Sequence, residues 1–218
     1  MLTVLSVVVA ALFGLLVGAG ARLWLSRLRR GVVIRPGWVE LASAVISALG
    51  VYLARDGPWL LVGWIGLLGV ALTAVDLKHH RLPDAVTLPA IAATLAVVAV
   101  SPLVTSAEGN LLRAALGGLV TGSAFSALAF AAPKAMGRGD AKLAFSLGTA
   151  LGFVSWQAVF LGVLLAFVIG SVVGLVGILV GRLTLKSATP FGPSMLLGCW
   201  LVLAVPGILA GVGRLAGR

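Results

Sequence analysis

Apolar runs about as long as a bilayer is thick follow one another along most of this 218-residue chain, and they constrain its fold more than any other feature. A helix needs about 20 apolar residues to cross the hydrocarbon core of a membrane. Only 10% of the residues are charged, whereas a soluble domain carries roughly a quarter. We therefore predict an all-α polytopic membrane protein of about seven to eight transmembrane helices with short loops, in which residues 1–218 form a single integral membrane domain.

The net charge of +10 could indicate either a nucleic-acid surface or basic loops that face anionic lipid. The sixteen Lys and Arg lie between apolar runs and do not gather in one basic segment, so we predict membrane lipids and no nucleic acid as partners. Cationic loops mark the cytoplasmic side of a membrane. By this rule the N-terminus lies outside and residues 26–37 form a short cytoplasmic loop.

Acidic residues are scarce in this sequence, which makes their positions informative. There are six: Glu40, Asp56, Asp76, Asp84, Glu108 and Asp140. Ionisable groups near apolar helices are costly and are usually functional. Asp76 follows the apolar run that starts at Trp59, and Asp140 precedes one that starts near Lys142. Counting crossings from the N-terminus brings both acids to the cytoplasmic side, whereas Glu40 is interpreted as a helix N-terminal carboxylate near headgroup cations.

Two carboxyl groups held close together cannot both ionise cheaply, so the pair shares one proton. The ionised member can take a proton from water as the water attacks an amide carbon, while the protonated member polarises the carbonyl oxygen. This chemistry needs no metal and no other cofactor, and we predict none. Because Asp76 lies at a helix C-terminus and Asp140 at a helix N-terminus, the helix dipoles favour the proton on Asp76 and the charge on Asp140.

Residues near the two acids are expected to support them. Pro83 disfavours helix at the preceding residue, which makes Asp84 a candidate cap of the next helix. Gly137 and Gly139 permit backbone conformations and a close approach that other residues do not, as an extended peptide beside Asp140 would require.

Other functions fit parts of the sequence. Adjacent His79 and His80 do not easily share a metal, and nothing nearby completes a ligand set. A phosphate-binding loop would need GxxxxGK[ST] or GxGxxG, and neither is complete around Gly137. A proton-coupled transporter or channel subunit also uses intramembrane carboxylates, but it favours acids near the membrane midplane and internal repeats. A packing subunit of a larger assembly would explain three GxxxG spacings, Gly118–Gly122, Gly170–Gly174 and Gly177–Gly181, but not the two acids.

Two motifs resemble those of the type IV prepilin peptidases, which belong to the GxGD class of membrane aspartyl proteases. The segment Asp76-Leu-Lys-His-His-Arg-Leu-Pro-Asp84 is similar to the family's first aspartate with its downstream hydrophobic-Pro-Asp. The segment Gly137-Arg-Gly-Asp140-Ala-Lys142 is similar to GxGDxK, and Phe191-Gly192-Pro193 to a third, weaker segment. The resemblance covers the chain from about Val39 onward.

The resemblance implies a membrane aspartic endopeptidase of the bacterial inner membrane, with Asp76 and Asp140 as its catalytic pair. It also implies residues that bind substrate or support the motifs: Gly137, Gly139, Lys142, Pro83 and Asp84. The substrate would be a prepilin or pseudopilin, whose basic leader is cut at the cytoplasmic side of the membrane. Many members also N-methylate the new terminus and carry a cysteine-bearing region between the first two helices.

Residues 26–37 stand in place of that larger insertion and contain no cysteine. We therefore predict no S-adenosylmethionine binding. Self-association into a homo-oligomer is left open by the sequence.

Overall fold

A computed structural model of the chain describes residues 2–27, 35–54, 57–79, 84–105, 108–133, 136–182, 184, 191–205 and 207–209. These residues form α-helices and no strand, which confirms the all-α prediction for this part of the chain. The helices are α1 (Leu2–Arg27), α2 (Trp38–Leu53), α3 (Trp59–His79), α4 (Asp84–Val104), α5 (Leu111–Ala131), α6 (Arg138–Val154), α7 (Trp156–Leu179) and α8 (Gly192–Ala204).

Five of these helices are long and apolar enough to cross a membrane: α1, α3, α4, α5 and α7. Helices α2 and α8 are apolar but shorter, and α6 belongs to neither group. The 13 residues of α8 extend for about 20 Å, less than the roughly 30 Å of a hydrocarbon core. The predicted total of seven to eight crossings therefore stays a prediction.

Helices α5 and α6 pack closely along a seam of glycines. A Cβ atom on Gly117 would lie 2.6 Å from the carbonyl oxygen of Gly148, and one on Gly152 would lie 2.7 Å from that of Arg113. The hydroxyl of Thr121 also donates a hydrogen bond across the seam to the carbonyl of Ala144, at 2.9 Å. Larger side chains would separate the two helices, so the seam fixes α6 against α5.

The predicted packing role of the GxxxG spacings is confirmed for Gly118–Gly122, where added Cβ atoms would overlap the side chains of Thr149 and Phe145. It is not confirmed for Gly174, because an added Cβ there would meet no described atom within 4 Å. A GxxxG spacing therefore marks a close contact in this chain only where another helix lies opposite it.

The C-terminus of α6 is held by a cation from α5. Arg113 donates hydrogen bonds from Nε to the carbonyl of Gly152 and from Nη2 to the carbonyls of Phe153 and Val154, at 2.7, 2.7 and 2.6 Å. The last carbonyls of a helix lack intrahelical partners and carry partial negative charge. The guanidinium of Arg113 satisfies these carbonyls. No local sequence pattern predicts this contact, because its partners lie about 40 residues away in the chain.

Helices α4 and α8 each pack against both α3 and α6. The helices that carry Asp76 and Asp140 are therefore placed relative to each other through shared neighbours. Most residues of α6 are buried, whereas only 11% of the apolar stretch of α1 is buried. The core of the molecule thus lies around α6, which packs against α4, α5, α7 and α8.

Candidate active site

Asp76 is buried in the last turn of α3, with only 3% of its surface exposed. In the sequence Asp76 follows the apolar run that starts at Trp59, and α3 continues beyond this run as a helix to His79. The last turn of a helix does not require apolar residues, so α3 extends past the apolar run. The predicted C-terminal position of Asp76 in its helix is confirmed.

Asp140 lies in the first turn of α6, which begins at Arg138 rather than near Lys142. Gly137 is the N-cap residue, and its backbone N–H donates a hydrogen bond to the Asp140 carboxylate. This contact resembles half of a capping box, in which an acid at the third helical position accepts from the N-cap. The start of α6 therefore fixes the carboxylate of Asp140.

Gly137 contributes space and not an unusual backbone conformation. Its φ and ψ of −74° and 143° are accessible to any residue, so the predicted need for glycine flexibility is wrong here. A Cβ atom at this position would lie 3.1 Å from Oδ2 of Asp140. Gly137 thus leaves room for the carboxylate, while the role of Gly139 within α6 stays a prediction.

The charge of Asp76 acts on Asp140. Burial, and then the negative charge of Asp76, raise the pKa of Asp140 to about 6, against the smaller opposing effect of the Gly137 N–H. The helix N-terminus alone is expected to favour the ionised form of Asp140, but burial and the charge of the second acid outweigh that effect. A carboxyl group with a pKa near neutrality can hold or release a proton under physiological conditions.

An ion pair joins the two motif segments. Nζ of Lys142, in α6, lies 2.6 Å from Oδ1 of Asp84, at the start of α4. Helix α4 starts at Asp84, as expected, while the capping role of Asp84 stays a prediction. The pairing of Asp84 with Lys142 joins two segments that no local pattern links. Pro83 and His80 lie outside the described residues, so the predicted support from Pro83 stays a prediction.

The third motif segment makes an aromatic packing contact. The ring of Phe191 lies 5.2 Å from that of Phe167 and 6.5 Å from that of Phe125, measured between centroids. A Cβ atom on Gly170 would lie 2.9 Å from the Phe191 ring. Phe191 therefore anchors the start of α8 against α5 and α7.

Glu40 is a helix N-terminal carboxylate, as predicted, but its cation belongs to the protein. Its Oε1 lies 2.5 Å from Nε of Arg22 in α1, and its Oε2 accepts from the N–H of Gly37 at 2.9 Å. The pair joins α1 to the start of α2. This contact was missed because Arg22 and Glu40 lie in different helices and no local pattern links them.

Two cavities lie away from the acids. An apolar groove of about 740 Å³ lies between the N-terminal half of α3 and helices α1 and α2, and a void of about 20 Å³ lies between α5, α6, α7 and α8. Neither Asp76 nor Asp140 lines them. Among the described residues there is also no cluster of three His, Cys, Asp or Glu side chains that could hold a metal ion. The two acids and their neighbours therefore define the candidate site.

The chain is similar in sequence to a known family and to several curated proteins. The profile of the type IV leader peptidase family matches residues 59–175, a span that contains Asp76, Asp84, Asp140 and Lys142. Prepilin leader peptidase/N-methyltransferase from Stutzerimonas stutzeri is 33% identical over 173 residues, which cover 76% of this chain and 56% of that protein. Proteins of the same name from Aeromonas salmonicida and Burkholderia pseudomallei are 32% and 34% identical, covering 83% and 73% of this chain and 63% and 51% of theirs.

The chain thus spans about half to three-fifths of the length of the curated relatives that it matches. No solved structure matches it. The family profile covers more than half of the chain and includes both segments on which the resemblance rests. The chain belongs to the type IV leader peptidase family.

Proposed function

We propose that this protein is an aspartic endopeptidase that removes the leader peptide from prepilins or pseudopilins, with Asp76 and Asp140 as its catalytic pair. The proposal is carried by Asp76, which is buried in the last turn of α3 and whose charge raises the pKa of Asp140 in the first turn of α6, although the two acids lie far apart in the sequence. The family supports peptidase chemistry, and the names of the relatives support a prepilin substrate. In this reaction water is the nucleophile, so no covalent intermediate with the enzyme forms and no nucleophilic side chain is required.

The two acids would act as a general base and a general acid. The ionised carboxylate removes a proton from water, whose oxygen forms a bond to the scissile carbonyl carbon, while the protonated carboxyl donates a hydrogen bond to the carbonyl oxygen. As the tetrahedral intermediate collapses, the amide nitrogen takes up a proton and the C–N bond breaks. The proton belongs to the pair and is not assigned to one residue.

The site lies at one end of the helix bundle in this proposal. Asp76 is in the last turn of α3, Asp84 in the first turn of α4 and Asp140 in the first turn of α6. The charge effect of Asp76 on Asp140 and the ion pair of Asp84 with Lys142 support a common location for these helix ends. Positions at helix ends also favour a peptidase over a proton-coupled transporter, which would place acids near the middle of its helices.

We assign this end to the cytoplasmic face of the bacterial inner membrane, with the N-terminus outside. Arg22 and Arg27 lie near the C-terminal end of α1, and an antiparallel path through α2 would bring this end to the same side as the end of α3. Cationic residues favour the cytoplasmic side. Residues 26–37 would be a short cytoplasmic loop, and residues 1–218 one integral membrane peptidase domain. N-methylation is part of the relatives' names, but we do not extend it to this chain, because the loop lacks cysteine.

Co-expression with prepilin and pseudopilin precursors tests the proposal. Loss of the leader is measured by mass spectrometry of the precursor, for the wild type and for Asp76→Asn and Asp140→Asn. Both variants are expected to leave the precursor intact. Glu108→Gln is a matched control, because Glu108 is an exposed acid outside the proposed site. Processing by either aspartate variant at the wild-type rate would contradict the assignment of the pair.

A further inference from the structure

We propose that the ion pair between Asp84 and Lys142 is a positioning contact that sets the geometry of the two catalytic aspartates. This inference rests on the proposed function, since it concerns the same site. In this proposal neither Asp84 nor Lys142 touches the scissile bond. Both act by fixing the start of α4 against the start of α6.

The location of the pair in the fold supports this role. Helix α4 packs against both α3, which carries Asp76, and α6, which carries Asp140. The position of α4 along α6 therefore helps to set the distance between the two acids. Asp84 and Lys142 bridge α4 and α6 at 2.6 Å, at the helix ends nearest the acids.

Each motif segment supplies one acid of the catalytic pair and one member of the ion pair. Asp76 and Asp84 flank the connection between α3 and α4, and Asp140 and Lys142 share the start of α6. A link at Asp84 and Lys142 thus holds the start of α4 to the helix that bears the second acid. This link gives a physical reason why Asp84 accompanies Asp76 in one motif segment and Lys142 accompanies Asp140 in the other.

The side chain of Lys142 contacts Asp84. The ammonium of Lys142 donates to Asp84, whereas the carboxylate of Asp140 accepts from the backbone N–H of Gly137. Lys142 and Asp140 are two positions apart in a helix, where side chains do not face each other. The contacts therefore assign Lys142 to Asp84.

The exposure of the pair allows a positioning role to be distinguished from a stabilising one. The Asp84 side chain is 65% exposed and that of Lys142 is 32% exposed. Exposed ion pairs contribute little to the stability of a fold. In contrast, a displacement of about 1 Å between reacting groups can lower a rate by roughly a hundredfold. Loss of the pair should therefore reduce catalysis while the protein remains folded.

The test is a double-mutant cycle with Asp84→Asn, Lys142→Met and the two changes combined. For each purified protein, kcat and KM for cleavage of a prepilin precursor and the midpoint of thermal unfolding are measured. Glu108→Gln and Arg182→Gln remove one exposed charge of each sign elsewhere, and serve as matched controls. Lys142→Arg keeps a cation at the position.

We expect each single variant to lower kcat by about tenfold or more, with KM and the unfolding midpoint near those of the controls. The double variant should be no slower than the slower single variant, because both changes remove the same contact. Lys142→Arg should restore most of the kcat that Lys142→Met loses. Unchanged kcat in the single variants, multiplied losses in the double variant, or a higher KM at unchanged kcat would each overturn the proposal.

Asp76→Asn and Asp140→Asn are measured in the same assay, so that the two proposals can fail separately. If these aspartate variants cleave the precursor, the proposed function fails. If they do not cleave it while Asp84→Asn and Lys142→Met match the controls, the proposed function stands and the positioning role is wrong.

Discussion

Replacing Arg113 with Met should destabilise the protein substantially, because the arginine holds the C-terminus of α6. The change removes three hydrogen bonds of 2.6–2.7 Å from a cation to the last carbonyls of that helix. A hydrogen bond to a charged group contributes about 1.5–3 kcal/mol. Three bonds at the lower end of this range would contribute about 4.5 kcal/mol. Arg113 is only partly buried, water can reach some of the freed carbonyls, and the carbonyl of Phe153 also accepts from the N–H of Asn110, so we expect a smaller loss of about 3 kcal/mol in the free energy of unfolding.

Unfolding of the purified protein by denaturant in detergent micelles measures this loss. Arg182→Met is the matched control, because Arg182 is an exposed cation after α7 and its removal should change the free energy by less than about 0.5 kcal/mol. Arg113→Lys should fall between the wild type and Arg113→Met, since an ammonium lacks the planar fork of guanidinium donors. Equal stability of Arg113→Met and Arg182→Met would refute the reasoning.

Three further predictions concern the site and the seam beneath it. The cleavage rate should fall as the pH rises through about 6, the pKa of Asp140, because both acids are then ionised and neither can donate a proton. A cleavage rate that rises through this pH range would contradict the shared proton. Gly137→Ala should lower kcat without changing the unfolding midpoint, because its methyl group would lie 3.1 Å from Oδ2 of Asp140. Gly63→Ala is the control, because an added Cβ there meets open space. Equal kcat values for the two variants would argue against a role for the space beside Gly137. Gly148→Ala should lower the free energy of unfolding by about 1–3 kcal/mol, since its Cβ would lie 2.5 Å from the carbonyl oxygen of Gly117, whereas Gly174→Ala should not lower it.

Much of the architecture could be predicted because apolar runs and charged loops are local signals. The all-α class, the helix start at Asp84 and the close packing at Gly118 follow from such signals. The C-terminus of α3 and the N-terminus of α6 extend a few residues past their apolar runs, since polar residues at His79 and Arg138 can extend a helix when the packing of its other turns holds it. Propensity near a helix end is a weak guide for this reason.

The contacts that organise the site could not be predicted from local patterns. Lys142 pairs with Asp84, Glu40 with Arg22, and Arg113 with the end of α6, and each contact joins helices that are distant in the sequence. Their partners depend on which helix ends lie side by side. The pKa of Asp140 was misjudged for a related reason, because the burial that raises it is a property of the packed bundle and not of its neighbours in the chain.

The central claim is that Asp76 and Asp140 act on each other, and infrared titration of the Asp140 carboxyl band tests it most directly. Comparison with Asp140→Asn identifies the band, and its pKa is then measured in the wild type and in Asp76→Asn. Removing the charge of Asp76 should lower the pKa of Asp140 below its wild-type value of about 6, while burial keeps it above the ordinary 3.8. A pKa of Asp140 that is unchanged or higher in Asp76→Asn would show that the two acids do not form a pair.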